Sequence, residues 1–194
     1  MPRGQCHPGL DISGRCGWFD LTSVGNETGD MTTEAVPPGL DGFLIPLSDE
    51  ESEGFWEGTA LGELRLQACG ACGTLRFPPR AMCPHCQSTE RLWRRVAGTG
   101  TIWSFVVCHP PLLPAYTRFA PYPVVAVTLD EGPALRLVGN LVTGPFGAIN
   151  EVDPATIAIG EPVYAVFARR QRPDGGEIFL PAWVRSSGRS GERA

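Results

Sequence analysis

The sequence predicts a mainly β protein with a short helical segment and a metal-bound ribbon, and three observations support this fold class. Two C-x-x-C pairs are separated by 10 residues, a spacing typical of a metal ribbon. Five segments with strand character follow the second pair. The 19 Pro and 24 Gly favour many turns over long helices. A length of 194 residues suits one ordinary domain and a small module.

The first thirty residues differ in character from the rest of the chain. They are rich in Gly, lack apolar periodicity, and contain Cys6 and Cys16 without a partner motif. Met31 is followed by Thr-Thr-Glu-Ala-Val-Pro-Pro, which reads as an ordinary protein start. We therefore expect residues 1–30 to be a disordered tail, or an extension wrongly placed before a true start at Met31.

A helix is predicted over residues 47–64. Ser48 and Glu51 fit an S-x-x-E capping box, and acidic residues fill the first turn, where the helix dipole favours them. Phe55 and Trp56 follow as an apolar patch. We expect this patch to dock on the ribbon or on a partner.

The two C-x-x-C pairs predict a structural zinc site. Cys69 and Cys72 form the first pair, and Cys83 and Cys86 form the second. Each pair lets two thiolates reach one ion from a tight turn, and four thiolates close the tetrahedron around Zn²⁺. His85 lies inside the second pair, but four thiolates already suffice. The ribbon is too short to bury a core of its own, so the metal must supply folding energy, about 10–16 kcal/mol in comparable peptides.

Charge is segregated along the chain. The net charge is −5, and all 16 basic residues are Arg. Residues 31–64 contain eight acidic residues and no basic one, whereas residues 65–95 contain six Arg and a single Glu. The two segments either neutralise each other, chiefly through the Glu residues between positions 50 and 57, or some Arg bind an anion such as a nucleotide phosphate. The candidates for ligand or partner binding are Arg76, Arg80, Arg94 and Arg95.

Five strands are predicted after the ribbon, separated by turn-forming residues. They cover residues 101–109, 124–130, 134–142, 162–170 and 177–184. In the first strand, Trp103, Phe105 and Val107 are expected on one face, as barrel core. The longest insertion, residues 143–160, lies between the third and fourth strands, as in OB-folds. Five strands alone do not distinguish an OB-fold from an SH3-like barrel or a small sandwich.

The composition limits the cellular setting. No run approaches the roughly 18 apolar residues of a membrane span, and no signal peptide is visible. The chain has seven Cys, of which four are assigned to metal, and an odd number argues against a disulfide scaffold. We expect a cytoplasmic protein with no membrane association, and an acidic chain is a poor general binder of nucleic acid.

Several short motifs, in this order, resemble a known family. They are Phe55-Trp56-Glu-Gly, Gly62-Glu-Leu64, Leu66-Gln67-Ala-Cys69, Cys72-Gly73, Phe77-Pro-Pro-Arg80, Cys83-Pro84-His-Cys86 and Gly98-Thr-Gly100. Over about residues 40–185 the chain resembles the zinc-ribbon plus OB-fold, acyl-CoA-associated proteins of bacteria and archaea. The resemblance implies an N-terminal helical segment, a rubredoxin-like zinc ribbon and a C-terminal five-stranded OB-fold barrel. It also implies a thiolase-fold enzyme or an aldolase subunit as partner, and a coenzyme A thioester as ligand in lipid or steroid side-chain metabolism.

The expected organisation combines the residue patterns with this resemblance. The segments are 1–30 (extension), 31–65 (helical segment), 66–96 (zinc ribbon), 97–187 (OB-fold) and 188–194 (polar tail).

No catalytic constellation is visible in the sequence. The three His are His7, His85 and His109, and none lies in a nucleophile or base motif. Cys108 and His109 are adjacent strand residues that point to opposite faces, so packing is the better interpretation of Cys108.

We therefore expect a protein that is not an enzyme on its own but an accessory subunit. A nucleic-acid-binding OB-fold protein is the second hypothesis. A rubredoxin-like electron carrier, with iron on the same thiolates, is the third.

Overall fold

Two antiparallel β-sheets and one main helix form the described part of the fold. The computed structural model describes residues 44–172 and 175–186. The expectations for residues 1–30 and 188–194 lie outside these ranges, as do residues 31–43 of the expected helical segment and residues 173–174 between the last two predicted strands. The mainly β fold class is confirmed. The elements are α1 (Glu53–Ala60), β1 (Arg65–Cys69), β2 (Leu75–Arg76), β3 (Arg91–Arg95), β4 (Thr99–Cys108), α2 (Pro114–Thr117), β5 (Tyr122–Leu129), β6 (Arg136–Asn140), a 3₁₀ turn (Pro154–Thr156), β7 (Pro162–Gln171) and β8 (Glu177–Arg185).

Helix α1 is shorter than the sequence predicted, and the predicted capping box is wrong. The helix begins after Ser52 instead of near Ser48. The Asp49 carboxylate accepts hydrogen bonds from the Ser52 backbone N–H at 2.9 Å and from its hydroxyl at 2.5 Å. This local turn competes with helix, as Asp and Ser side chains commonly do. The helix ends at Ala60, and the φ of +73° at Gly62 lets the Glu63 N–H reach back to the Gly58 carbonyl at 2.8 Å.

The first sheet is the ribbon, with strand order β2-β1-β3. In its centre Gln67 lies opposite Arg76 on one side and Trp93 on the other. Helix α1 rests directly on Trp93, because a Cβ atom at Gly54 would lie 2.3 Å from the indole Nε1. The lack of a side chain at Gly54 therefore sets the distance between helix and ribbon.

The second sheet is a five-stranded barrel with strand order β6-β5-β4-β7-β8. Its two outer strands meet at a parallel bridge between Leu141 and Trp183, and the Val142 N–H donates to the Trp183 carbonyl at 2.8 Å. This closure, with the single 3₁₀ turn in the link between β6 and β7, agrees with the expected OB-fold. Helix α2, between β4 and β5, was not predicted.

A β-bulge corrects the expected face of β4. Ile102 pairs with Val127 and Ser104 pairs with Ala126, so Trp103 is the extra residue. A bulge shifts the side-chain alternation by one position. Trp103 is consequently 54% exposed, and the expectation that it would share the core face with Phe105 and Val107 is wrong.

One continuous core runs through both sheets. The ribbon side contributes Phe55, Leu64 and Leu66, and the barrel side includes Ile102 and the fully buried Trp183. No helix in the described ranges has the length and apolar character needed to cross a membrane.

Candidate metal centre

The four predicted ligands come together at one end of the ribbon. The Sγ atoms of Cys69, Cys72, Cys83 and Cys86 all lie within 4.8 Å of one another. Cys69 Sγ is 3.5 Å from Cys86 Sγ, and Cys72 Sγ is 3.7 Å from Cys83 Sγ. A tetrahedral ion with metal–sulfur bonds of about 2.3 Å needs sulfur atoms about 3.8 Å apart. The cluster therefore fits one tetrahedral metal ion.

The two C-x-x-C turns, which we call the knuckles, repeat the same backbone pattern. In the first knuckle the Gly73 N–H donates to the Cys69 carbonyl at 2.9 Å, and in the second the Gln87 N–H donates to the Cys83 carbonyl at 2.9 Å. Gly73 has a φ of +73° and Gln87 a φ of +62°, both in the left-handed region. Glycine adopts this conformation without steric cost, whereas no feature of the sequence indicates it at Gln87.

The thiols differ in their surroundings. Cys69 and Cys83 are buried, whereas Cys72 and Cys86 are exposed. A hydrogen bond from the Thr74 hydroxyl, 3.2 Å from Cys72 Sγ, is the main cause that lowers the pKa of Cys72 to about 5. A Ser88 backbone hydrogen bond lowers the pKa of Cys86, but hydrogen bonds with the Cys69 and Cys72 thiols outweigh it and raise that pKa to about 12.

The raised pKa of Cys86 has a simple physical cause. Several negative thiolates cannot lie this close together unless a cation lies between them. A divalent metal ion supplies that charge and binds thiolates directly. Four sulfur ligands leave no open coordination position, which is typical of structural sites. His85 is exposed, and the metal-ligand cluster found in the described residues does not include it.

Arg76 belongs to the interior of the ribbon and not to its surface. Its side chain is 5% exposed, and its Nε donates to Gln67 Oε1 at 2.5 Å. Gln67 Oε1 also accepts the Arg80 backbone N–H at 2.9 Å, and Arg76 Nη2 donates to the Arg80 carbonyl at 3.3 Å. Arg76 therefore holds the loop between the knuckles, and burial removes it from the surface candidates. Sequence reasoning missed Gln67, because a polar residue in an alternating strand gives no sign of burial.

The other three candidate arginines are exposed, and only one has an ion pair among the described residues. Arg95 Nη1 lies 3.5 Å from Glu63 Oε1. No side-chain hydrogen bond or ion pair of Arg80 or Arg94 occurs within the described ranges. The acidic segment pairs with the ribbon in two further places. Glu50 Oε1 lies 2.5 Å from Arg91 Nη2, and Glu63 Oε2 lies 2.8 Å from Arg65 Nη2.

The Phe55-Trp56 patch faces inward. Phe55 is 3% exposed, lies edge-on to Trp56 with ring centroids 4.9 Å apart, and contacts Phe77 at 5.5 Å. Trp56 is half-buried. Of the two docking alternatives, the structure shows this patch packed on the ribbon and the shared core, and Phe55 offers no surface to a partner.

No Cys–His dyad forms at the end of β4. Cys108 is half-buried opposite Tyr122, whereas His109 is exposed. Burial is the main cause that raises the pKa of Tyr122 to about 12, and a hydrogen bond with Cys108 adds to it. Cys108 therefore packs, as expected.

Family models match both halves of the described fold. The ChsH2 rubredoxin-like zinc ribbon domain matches residues 56–90, and the C-terminal OB-fold domain of ChsH2 matches residues 93–168. The four clustered cysteines lie inside the first match.

Three curated relatives extend this result. The chain is 39% identical over 129 residues to a probable enoyl-CoA hydratase alpha subunit of Thermomonospora curvata, covering 66% of this chain and 37% of that protein. It is 36% identical over 135 residues to the 3-oxo-4,17-pregnadiene-20-carboxyl-CoA hydratase alpha subunit of Mycobacterium tuberculosis, covering 69% and 39%. It thus spans less than two fifths of the length of these two relatives. A DUF35 domain-containing scaffold protein of Methanocaldococcus jannaschii is 33% identical over 111 residues, with 56% of this chain and 70% of that protein covered.

A solved structure completes the comparison. A chain of the structure titled Ltp2-ChsH2(DUF35) aldolase is 35% identical and superposes with a TM-score of 0.60. The match covers 73% of this chain and 98% of that chain. With the ribbon, the barrel and the cysteine cluster in the expected order, the chain belongs to the ChsH2-type (DUF35) family of zinc-ribbon and OB-fold proteins.

Proposed function

We propose that this chain is a non-catalytic, zinc-bound subunit that binds an aldolase or thiolase-fold enzyme acting on acyl-CoA thioesters. The observation that carries the proposal is the match over 98% of a chain from an aldolase complex, at 35% identity. Zn²⁺ on Cys69, Cys72, Cys83 and Cys86 would hold the ribbon in shape and take no part in the reaction.

The hydratase relatives support the substrate class and not the reaction. Both carry acyl-CoA hydratase names, one of them with a steroid-derived acyl group. Because this chain spans less than two fifths of each, the proposal takes from them only the acyl-CoA thioester.

Arg80 and Arg94 are the residues that we propose for contact with coenzyme A phosphates or with an acidic partner surface. Both are exposed, and neither has an ion pair among the described residues. The planar guanidinium group binds phosphate or carboxylate through two parallel hydrogen bonds. Arg95 is a weaker candidate, because Glu63 already neutralises part of its charge.

The test is co-expression of this chain with the Ltp2 subunit of the aldolase, followed by size-exclusion chromatography and calorimetry. We expect one complex, and Arg80→Glu or Arg94→Glu should weaken assembly or coenzyme A binding about tenfold or more, as for loss of a charged hydrogen bond. Both variants should melt within about 1–2 °C of the wild type, because exposed charges contribute little to stability.

The matched control is Arg118→Glu, which reverses an exposed charge on the loop after β4. If the ribbon variants lose only thermal stability, the arginines serve the fold. If wild-type protein does not associate with Ltp2, the proposed function is wrong.

A further inference from the structure

The barrel has a strand edge that remains open in the described part of the chain. Only Thr99, Gly100 and Thr101 of β4 pair with β7, and the loop before β7 adds contacts to Ile102. Strand β4 then runs past the start of β7. Over residues 104–108 it is paired on one side only, with β5.

The hydrogen-bond pattern shows which peptide groups face the open side. The Ile102 N–H donates to the Glu161 carbonyl at 2.9 Å, and its C=O accepts from Gly160 N–H at 2.7 Å, so both point away from β5. Its partner Val127 must then direct its own groups toward β6. Because directions alternate along a strand, the backbone groups of Val125 and Pro123 also point toward β6. In agreement with this, the Pro123 carbonyl accepts a hydrogen bond from Asn140 Nδ2 at 3.3 Å.

It follows that two residues of β4 present unpaired backbone groups. Phe105 lies opposite Val125, and Val107 lies opposite Pro123, which has no N–H to donate. Both are non-hydrogen-bonded pairs, in which the N–H and C=O groups point away from the neighbouring strand. The open edge therefore offers two donors and two acceptors in the spacing of a β-ladder.

This edge lacks the features that usually block strand addition. Natural proteins protect sheet edges with Lys, Pro, inward charges or a covering element. Residues 104–108 read Ser-Phe-Val-Val-Cys and contain no charge and no Pro. An unprotected apolar edge is typical of a surface that another strand covers.

The outer face beside the edge is also apolar. Val106, Trp103 and Val138 are 60%, 54% and 61% exposed. The outward positions of β4, β5 and β6 include one charge, Arg136, whose guanidinium carbon lies 4.1 Å from the centre of the Trp103 ring. We call this edge and face the β4 surface.

We propose that the β4 surface binds an extended strand of the partner enzyme subunit, which adds to the barrel through the Phe105 and Val107 peptide groups. The strand presents apolar side chains to Val106 and Val138 and a carboxylate to Arg136. This inference rests on the proposed function and specifies where the partner binds.

Charge distinguishes this occupant from two others. A second copy of the chain would bring the same uncharged edge and a second Arg136, with no carboxylate to match. Single-stranded nucleic acid would need a basic groove along its backbone, and the β4 surface has one cation.

The experiment compares Val106→Lys with Phe146→Lys in binding to Ltp2. Both side chains are largely exposed, at 60% and 92%, and Phe146 lies on the link between β6 and β7, outside the β4 surface and the ribbon. We expect Val106→Lys to weaken binding at least tenfold and Phe146→Lys to leave it within about twofold. Both variants should keep wild-type melting temperatures, because Lys at either site remains in water.

A second measurement separates strand addition from side-chain docking. Residue-resolved hydrogen exchange on the wild-type complex should show new protection at the Phe105 and Val107 amides. Protection should not change at Val106, whose amide already bonds to β5.

Each contrary outcome has a definite meaning. If wild-type protein binds Ltp2 and Val106→Lys binds equally well, the β4 surface is not the interface, although the proposed function stands. If wild-type protein does not bind Ltp2, both proposals are wrong. A wild-type dimer in sedimentation velocity that Val106→Lys dissociates would make a second copy the occupant. Tight oligothymidylate binding at physiological salt, lost in Trp103→Ala, would make it nucleic acid.

Discussion

The two knuckles allow a test in which removing a glycine at one position and introducing a glycine at the equivalent position have opposite effects. Gly73 and Gln87 follow the second cysteine of their knuckles, and each donates its N–H to the first cysteine's carbonyl at 2.9 Å. Their φ angles are +73° and +62°. We predict that Gly73→Ala weakens the metal site and that Gln87→Gly strengthens it.

The magnitude follows from two opposing terms. The left-handed conformation costs a residue with a Cβ about 1–2 kcal/mol relative to glycine. Glycine loses more backbone freedom on folding, which offsets about 0.5–1 kcal/mol. A Cβ at Gly73 would meet nothing within 4 Å, so no clash is added. The net change is about 0.5–1 kcal/mol in each direction, or about two- to fivefold in metal affinity.

The assay is competition for Zn²⁺ against a chromophoric chelator at fixed pH, because metal binding and ribbon folding are linked. Gly144→Ala serves as control, since it adds a methyl group in open space outside the ribbon. Equal affinities for all variants would show that the ribbon relaxes freely at these turns. Weaker binding by Gln87→Gly would refute the reasoning, because it would mean that the Gln87 side chain contributes more than its backbone strain costs.

Two further predictions concern the metal and the barrel. Cys83→Ser should reduce bound zinc from one equivalent to less than about 0.1 by elemental analysis, because Cys83 is a buried member of the cysteine cluster. The same substitution should abolish hydrogen-exchange protection in the ribbon. The control Cys108→Ser, which changes a cysteine outside the cluster, should keep both the bound zinc and the protection. A folded, metal-free wild-type protein would contradict this prediction, and a visible-absorbing iron site would favour the electron carrier. Gly100→Ala should lower the free energy of unfolding, measured with denaturant, by about 1–3 kcal/mol, because its Cβ would lie 2.3 Å from the Thr128 carbonyl oxygen. A decrease under about 0.5 kcal/mol would show that β4 and β5 can move apart at this point.

The sequence predicted the parts of this fold that depend on local pattern. The knuckle spacing predicted the four cysteines that the fold brings together, and alternation located all five barrel strands to within a few residues. Both signals are short-range, since a chelating turn and a half-buried strand each need only a few residues in the right order.

The errors arose where a distant or competing contact decides the outcome. The Asp49 carboxylate accepts a hydrogen bond from the Ser52 hydroxyl, and the helix therefore begins later than the capping box predicted. The bulge at Trp103 depends on the register with β5, which alternation in β4 alone does not contain. The sequence indicated Arg76 as a surface cation. Its burial costs less free energy than expected because the guanidinium donates a hydrogen bond to the Gln67 side chain on the neighbouring strand.

The continuous core implies that the ribbon and the barrel behave as one cooperative unit. Phe55, Leu64 and Leu66 of the ribbon side pack in the same cluster as the barrel residues around Trp183. The two matched family segments are therefore separate in the sequence comparison but do not fold as independent units. A barrel produced without the helix and ribbon would lose the packing of these three side chains, and the apolar barrel residues that they cover would be exposed to water. The cysteine cluster lies about 90 residues before β8 in the sequence, yet loss of its metal ion would accordingly lower the unfolding temperature of the barrel itself.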